Sequence, residues 1–203
     1  VLVLTKDYST IQWKNYLQYY YQMIEKVDQA IGKVLESLEK SGLEEDTLII
    51  FTSDHGEGRA SHKWTTKQSL YEEATNVPFI ISWKGKIKSC KMDRYHLVSG
   101  LDVLPTMLDF AGFEVPDTMR GQSLRNIIEN QEKNFRDFLV TEVAPDPQKP
   151  FLKGRMLRTS QYKYNLFSLG EQDEQLFDLY YDRGETNNLA YEPTMQNIKI
   201  QLR

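Results

Sequence analysis

The chain has 203 residues, with 29 Asp and Glu against 25 Lys and Arg, for a net charge of −4. That length holds one large domain or two small ones and is enough to bury a core. With 40% hydrophobic and 27% charged residues, disorder, a collagen-like fibre and a disulfide scaffold are excluded. The acidic balance argues against nucleic acid as a partner, since generic nucleic-acid binders gather positive charge. A single Cys supplies a single thiolate and rules out a Cys-rich zinc centre.

Cys90 has no internal disulfide partner, so it says little about redox compartment. No apolar run approaches the roughly 18 residues of a membrane span, and no transmembrane helix is expected. Residues 1–7 lack the basic start, longer apolar core and small-residue cleavage site of a signal peptide. With no initiator Met, the chain reads as a fragment of something longer.

From residue 10 to 40, Leu17, Tyr20, Ile24, Val27, Ile31, Val34 and Leu38 step by threes and fours. The spacing predicts a helix of about 45 Å at 1.5 Å per residue, with one face buried. Ser41-Gly42 supplies its stop. The aromatic residues Trp13, Tyr16, Tyr19, Tyr20 and Tyr21 read mostly as packing of this helix, with part of the cluster able to face a sugar. Residues 46–52, Asp-Thr-Leu-Ile-Ile-Phe-Thr, form a short apolar run that fits a central strand of a parallel sheet, covered on both faces. Ser53-Asp54-His55-Gly56-Glu57-Gly58 then stands at the strand's carboxyl end, where open α/β sheets place ligands.

A second buried strand is predicted over residues 77–83, followed by a turn at Lys84-Gly85-Lys86. Ser99 and Asp102 stand three apart before a helix that runs to Gly112, as in a capping box with Asp in place of Glu. This alternation is that of an α/β layer. After about residue 140 the character changes. Residues 154–160, 162–167 and 175–180 predict three strands of a small antiparallel sheet, with a turn at Asp182-Arg183-Gly184-Glu185. Pro145, Pro147 and Pro150 mark the linker, and a short helix follows Pro193. The expected division is an α/β part over 1–140 and a small antiparallel-sheet subdomain with a terminal helix over 141–203.

Two stretches carry chemistry. Asp54 offers hard oxygen donors and His55 an imidazole nitrogen, so the pair could face one divalent cation. Gly56 allows a tight turn behind them. Read alone, the same residues also fit a loop with a capping Asp and an exposed His. The second stretch, Ser61-His62-Lys63-Trp64-Thr65-Thr66-Lys67, sets His62 five residues before Lys67. An ammonium beside a cation suits a small anion whose oxygens gain charge, and His62 could supply a proton. Read alone, it also fits a solvated basic loop.

Together the stretches resemble something specific. Ser53-Asp54-His55-Gly56-Glu57, then His62, Lys67 and Tyr71-Glu72-Glu73-Ala74-Thr75-Asn76-Val77-Pro78 are similar to the sulfatase signature of the alkaline phosphatase superfamily. The series continues in order. Residues 101–112, Leu-Asp-Val-Leu-Pro-Thr-Met-Leu-Asp-Phe-Ala-Gly, Gly121-Gln122-Ser123-Leu124, and Leu176-Phe177-Asp178-Leu179 with Asp182, Gly184-Glu185 and Asn188-Leu189 also resemble the family. The resemblance implies an alkaline-phosphatase-like mixed sheet with flanking helices, hydrolysis of sulfate esters, and one divalent metal, usually calcium. Manganese is the ion implied by phosphonate-cleaving relatives. Asp54 and His55 match the second half of the ligand set, with His where many members carry Asn. Lys67 matches the lysine that contacts the transferred sulfuryl group, and His62 a site-lining histidine.

One departure is decisive. The family's nucleophile motif, Cys or Ser, any residue, Pro, any residue, Arg, whose first residue matures to formylglycine, is absent from this chain. Cys90-Lys91-Met92-Asp93-Arg94 has the Cys–Arg spacing but Met in place of Pro, and it follows the metal pair. Cys90 therefore reads as a surface or structural thiol, and His96 as a surface or capping residue. The chain looks like the C-terminal half of a sulfatase, holding half a metal site and inactive alone. An exposed sheet edge would favour a homo-oligomer. The implied substrate is a sulfated small molecule or glycan, and the implied setting is exported or lysosomal. The alternatives are a phosphodiesterase or phosphonate hydrolase of the same superfamily, and a non-catalytic binding or assembly domain. Arg155 and Arg158 read as a solvated strand face or, on the other reading, as partners of an anionic sugar.

Overall fold

In chain order the elements are α1 (Thr10–Ser41), β1 (Ile49–Thr52), α2 (Glu72–Thr75), β2 (Phe79–Ser82), α3 (Val103–Phe110), α4 (Arg125–Asn130), β3 (Phe138–Val143), β4 (Gly154–Thr159), β5 (Tyr162–Phe167), β6 (Glu174–Asp178) and α5 (Gln196–Leu202). This computed structural model describes residues 5, 7–130, 135–146 and 148–203. Readings that rest on residues 1–4 and 6, and on Pro147 of the proline linker, lie outside the described residues. Two units divide the chain. One comprises residues 1–67, 76–92 and 100–131, the other 68–75, 93–99 and 132–203.

In the first unit, α1 begins on a capping box. Ser9 Oγ accepts from the Gln12 amide at 3.3 Å, and the Gln12 side chain accepts from the Ser9 amide at 2.8 Å. It ends where expected, at Gly42, whose left-handed φ of 71° returns an N–H to the Glu39 carbonyl. The apolar stripe behaves differently from the sequence expectation. No residue of α1 is fully buried, and Ile24, Val27 and Val34 stay 47%, 57% and 68% exposed. Tyr19 and Tyr21 are exposed too, so only part of the aromatic cluster packs. The stripe's spacing is right, but among the described residues nothing covers its middle.

β1 and β2 pair antiparallel, Ile49 opposite Ser82 and Thr52 opposite Phe79. Neither strand is buried through, and Phe51 and Ile80 face out. The expectation of a doubly covered parallel strand therefore fails for the pairing within this chain. A continuous apolar run fixes neither the direction of a neighbour nor its presence. Trp83, just past β2, donates from Nε1 to the Glu45 carbonyl at 2.7 Å and meets Phe110 of α3 edge-on at 5.9 Å.

α3 is entered through a 3-10 turn at Gly100–Asp102, and the Asp102 side chain caps no helix amide. It is fully buried and accepts from the Gln122 amide at 2.8 Å instead. Thr106 continues the stitching: its Oγ donates to the Asp102 carbonyl at 2.6 Å and accepts from the Leu124 amide at 3.0 Å. Ser123 Oγ donates to Asp109 Oδ2 at 2.5 Å. The run Gly121-Gln122-Ser123-Leu124 is thus a strap across the start of α3.

In the second unit, four antiparallel strands lie in the order β3-β4-β5-β6. Three were expected; β3, with Phe138-Leu139-Val140-Thr141-Glu142-Val143, adds the fourth and pairs with β4 along its whole length. Tyr164, Leu176 and Ala190 make the core, with Leu189 and the Ile198 and Leu202 side chains of α5 against it. Asn188 holds the crossing chain. Its Oδ1 accepts from the Leu176 and Ala190 amides, each at 3.0 Å, and its Nδ2 donates to the Glu174 carbonyl at 3.1 Å.

A buried charge cluster sits on this sheet. Lys163 of β5 is wholly buried, its Nζ 2.9 Å from Glu72 Oε1 and 2.8 Å from Glu185 Oε1. Glu185 Oε2 also accepts from the Glu72 amide at 2.5 Å. Burial pushes the Glu185 carboxyl above its ordinary value, while Lys163 pulls it back. Arg158 joins Glu72 at 3.6 Å, and Arg155 pairs with Glu142 at 2.6 Å. Of the two arginines read from the sequence as a solvated strand face, Arg155 stays 68% exposed, whereas Arg158 is largely out of solvent.

Candidate active site

β1 ends at Thr52, and the backbone turns at once. Ser53 Oγ donates to the His55 carbonyl at 2.8 Å, and Asp54 Oδ1 accepts from the His55 amide at 2.9 Å. These short local bonds are what Ser and Asp offer in turns, and they set the two following side chains on one side. The carboxyl of Asp54 is tugged upward by burial, but the His55 amide, the His55 ring and Lys67 outweigh that and hold it below its ordinary value.

His55 is fixed in one tautomer. Its Nδ1 lies 2.9 Å from the Gly56 carbonyl. A carbonyl only accepts, so Nδ1 carries the proton and, in the neutral ring, Nε2 is left bare. That bare nitrogen lies 3.2 Å from Asp54 Oδ2 and 2.8 Å from the Lys67 ammonium, which donates to it. Two acceptors thus converge on a point where positive charge is favoured, and an imidazole whose other N–H rests on a carbonyl is the usual state of a metal-ligating His. The donor types fit a divalent cation, as far as they go. They are two donors, and among the described residues no group of three or more His, Cys, Asp or Glu gathers for a metal.

Of the residues expected from the sequence, the structure brings Asp54, His55 and Lys67 together. His62 lies half-buried on the same loop, in the 3-10 turn Ser61–Lys63, with a left-handed φ of 52°. Cys90 is exposed. His96 binds Asp93, Nδ1 to Oδ2 at 2.5 Å, in the other unit.

Two further residues of the site, Glu57 of the motif and Tyr16 of the helix's aromatic cluster, were named from the sequence without this role. Glu57 Oε1 accepts from the Tyr16 hydroxyl of α1 at 2.6 Å and, over a short contact, from the Thr66 amide. Burial, and then the Glu57 carboxylate, push the Tyr16 hydroxyl well above its ordinary pKa. The signal was present in the sequence only as a Glu after His55-Gly56 and a Tyr on the helix. Nothing in their spacing of 41 residues joins them. A groove of about 440 Å³ runs along this place, with Tyr16, Tyr19, Tyr20 and Met23 on its helical wall and Asp54 and His55 opposite.

A strand ending in a carboxylate–imidazole pair, answered by a lysine from the next loop, is the arrangement expected from the resemblance to the alkaline phosphatase superfamily. The matches with known proteins narrow this class. The family model described as Sulfatase matches residues 4–113, and that described as N-sulphoglucosamine sulphohydrolase, C-terminal, matches residues 60–203. The Delta 4,5-hexuronate-2-O-sulfatase of Bacteroides thetaiotaomicron is 34% identical over 195 residues, covering 94% of this chain and 40% of the relative. A solved structure described as a 2-O GAG sulfatase superposes with a TM-score of 0.88 at 32% identity, covering 96% of this chain and 42% of that one. The phosphonate monoester hydrolase of Agrobacterium radiobacter superposes with a TM-score of 0.83 at 26% identity, covering 96% and 41%. The chain belongs to the sulfatase family, and it spans about two fifths of the length of these relatives.

Proposed function

We propose that this chain is the C-terminal part of a metal-dependent sulfatase of the formylglycine type, acting on a sulfated carbohydrate. The observation that carries this is the meeting of Asp54 Oδ2 and the Lys67 ammonium at the bare Nε2 of His55, at 3.2 and 2.8 Å. Asp54 and His55 would hold the divalent ion, calcium first and manganese second. When bound, that ion draws charge from sulfuryl oxygens. The Gly56 carbonyl keeps the His55 proton on Nδ1, so Nε2 carries the lone pair a cation would need, the one that accepts from the Lys67 ammonium here. Lys67 neutralises charge that builds on the anion as the ester bond breaks, and His62 supplies a proton to the departing oxygen. The formylglycine comes from outside these 203 residues, so the chain alone turns nothing over. The sugar assignment is supported by the name of the hexuronate sulfatase it resembles. An exported or lysosomal setting follows from the resemblance alone. Among the described residues, no helix is long and apolar enough to cross a membrane.

A phosphonate monoesterase is the second reading, favoured by the superposition on the Agrobacterium radiobacter enzyme. The complete protein should be assayed with 4-nitrophenyl sulfate and with a phenyl phosphonate monoester. Sulfate ester turnover that falls by roughly 10²–10³ in Asp54→Ala and in Lys67→Ala, the range for losing one charge-stabilising group, is the expected result. Full activity in both variants overturns the site, and turnover of the phosphonate alone selects the second reading.

A further inference from the structure

The loop between the two halves of the site is held in an unfavourable shape. Between Gly58 and Lys67, five residues other than glycine have positive φ: Arg59 at 48°, Ala60 at 66°, His62 at 52°, Lys63 at 56° and Thr66 at 74°. Thr66 is the costliest, because a β-branched side chain rarely tolerates the left-handed region. Such a conformation persists only where its surroundings over-determine it. The Thr66 hydroxyl gives no help, being buried without a hydrogen-bond partner among the described residues. Two backbone bonds do the holding. The Thr66 carbonyl accepts from the Gly58 amide at 2.9 Å, and the Thr66 amide donates to Glu57 Oε1. That same carboxylate oxygen takes the Tyr16 hydroxyl of α1 at 2.6 Å, so it is anchored to a regular element. The next residue after Thr66 is Lys67, whose ammonium reaches His55 Nε2 at 2.8 Å.

We propose that Glu57 is the positioning residue for Lys67: pinned to α1 by Tyr16, it clamps the Thr66 amide, fixes the left-handed turn there, and so delivers the Lys67 ammonium to His55. The carboxylate itself touches neither anion nor metal in this scheme. Three properties follow. Removing the carboxylate frees Thr66 to relax, and Lys67, already exposed, loses its hydrogen bond to His55 Nε2. An amide in its place still offers an oxygen to both donors and keeps the turn. Any loss of activity passes through Lys67 and vanishes once Lys67 is gone.

The role of Lys67 rests on the sulfatase reading, whereas the clamp does not, and the experiment separates them. In the complete protein, the rate of Lys67 acetylation by acetic anhydride is followed by mass spectrometry in wild type, Glu57→Ala, Glu57→Gln and Tyr16→Phe. Glu57→Ala should raise it by roughly ten- to hundredfold, the factor expected for hydrogen bonds to a charged group. Glu57→Gln should stay near wild type, and Tyr16→Phe between the two. In parallel, 4-nitrophenyl sulfate turnover is measured for Glu57→Ala, Lys67→Ala and the double variant. The clamp predicts that Glu57→Ala adds no loss in the Lys67→Ala background, the signature of two residues acting as one unit. Unchanged Lys67 labelling in Glu57→Ala overturns the proposal, as does an equal further loss in the double variant, which marks a general structural role. A wild-type protein that hydrolyses no sulfate ester sinks the sulfatase reading only, and the labelling series then decides the clamp.

Discussion

At Gly121 the chain passes so close to the start of α3 that a Cβ there would lie 1.9 Å from the Leu101 carbonyl oxygen and 3.0 Å from the Asp102 nitrogen. Backbone does not yield as a flexible side chain does, so the strap would have to lift. The bonds that would go with it are those from the Gln122 amide to Asp102 and from the Leu124 amide to Thr106. Asp102 would then be a buried carboxylate without that donor. Gly121→Ala should therefore destabilise the protein by about 1–3 kcal/mol, the usual cost of overpacking, read as a drop in Tm. The same substitution at Gly32, where a Cβ meets nothing within 4 Å in the middle of α1, should raise stability by roughly 0.5–1 kcal/mol. If the two variants melted alike, the strap would not be what Gly121 serves.

The ion cluster of the second unit ties an element to a sheet. Glu72 opens α2, Lys163 lies in β5, and Glu185 follows the turn after β6. With the Lys163 side chain 0% exposed and Glu185 1%, removing the cation leaves the Glu185 carboxylate out of water without it, while Glu72 keeps Arg158. Lys163→Ala should cost about 3–5 kcal/mol, as for a broken buried pair, whereas Lys163→Met with Glu185→Gln should recover much of that. Denaturant midpoints of the three proteins test it. Glu174 of β6 gives the pH counterpart. Lys199 of α5 at 2.8 Å and the Tyr164 hydroxyl at 2.6 Å hold its carboxyl below the ordinary carboxylate value. A carboxyl whose pKa is lower folded than unfolded stabilises above the unfolded pKa of about 4.3 and loses that stabilisation as pH falls through the lower folded value. Glu174→Gln should thus lower Tm at pH 7 and converge on wild type near pH 3, and a gap that widened on acidification would refute the assignment. These elements also show where sequence stops being informative. The long helix, its Gly42 stop and strands β4 to β6 could be read from local periodicity and turn chemistry. Strand β3 was missed because the change in composition near residue 140 hid a strand on the near side of the prolines. The pairing of β1 with β2, and of Lys163 with Glu72 and Glu185, joins residues far apart in sequence, and no local pattern encodes that. At the site, Asp54, His55 and Lys67 could be proposed from type and order, whereas Glu57 and Tyr16 act through one hydrogen bond between distant elements.

Taken whole, the chain carries two deficits in its first unit. The stripe of α1 leaves Val27 and Val34 more than half exposed, although its period is that of a helix meant to bury a face. The site offers one carboxylate and one imidazole, where calcium takes six to eight ligands, mostly oxygens. With the Lys67 ammonium 2.8 Å from the imidazole, a cation arriving at Asp54 and His55 also meets a positive charge at close range. Two donors cannot offset that repulsion and the dehydration of the ion together. Titrating calcium into the 203-residue chain by calorimetry should therefore give no stoichiometric heat at micromolar concentration, while the complete protein, if it brings further acidic ligands, should bind one equivalent. The stripe predicts a second difference in the same pair of samples. The chain alone should self-associate in sedimentation, and Val27→Lys with Val34→Lys should return it to a monomer, because burial of exposed apolar surface is what drives the contact. In the complete protein the same two substitutions should instead lower Tm, since charges would then be forced into a covered face. A chain that stayed monomeric and bound one calcium tightly would show that Asp54 and His55 need no partners and that the stripe is an ordinary solvated surface.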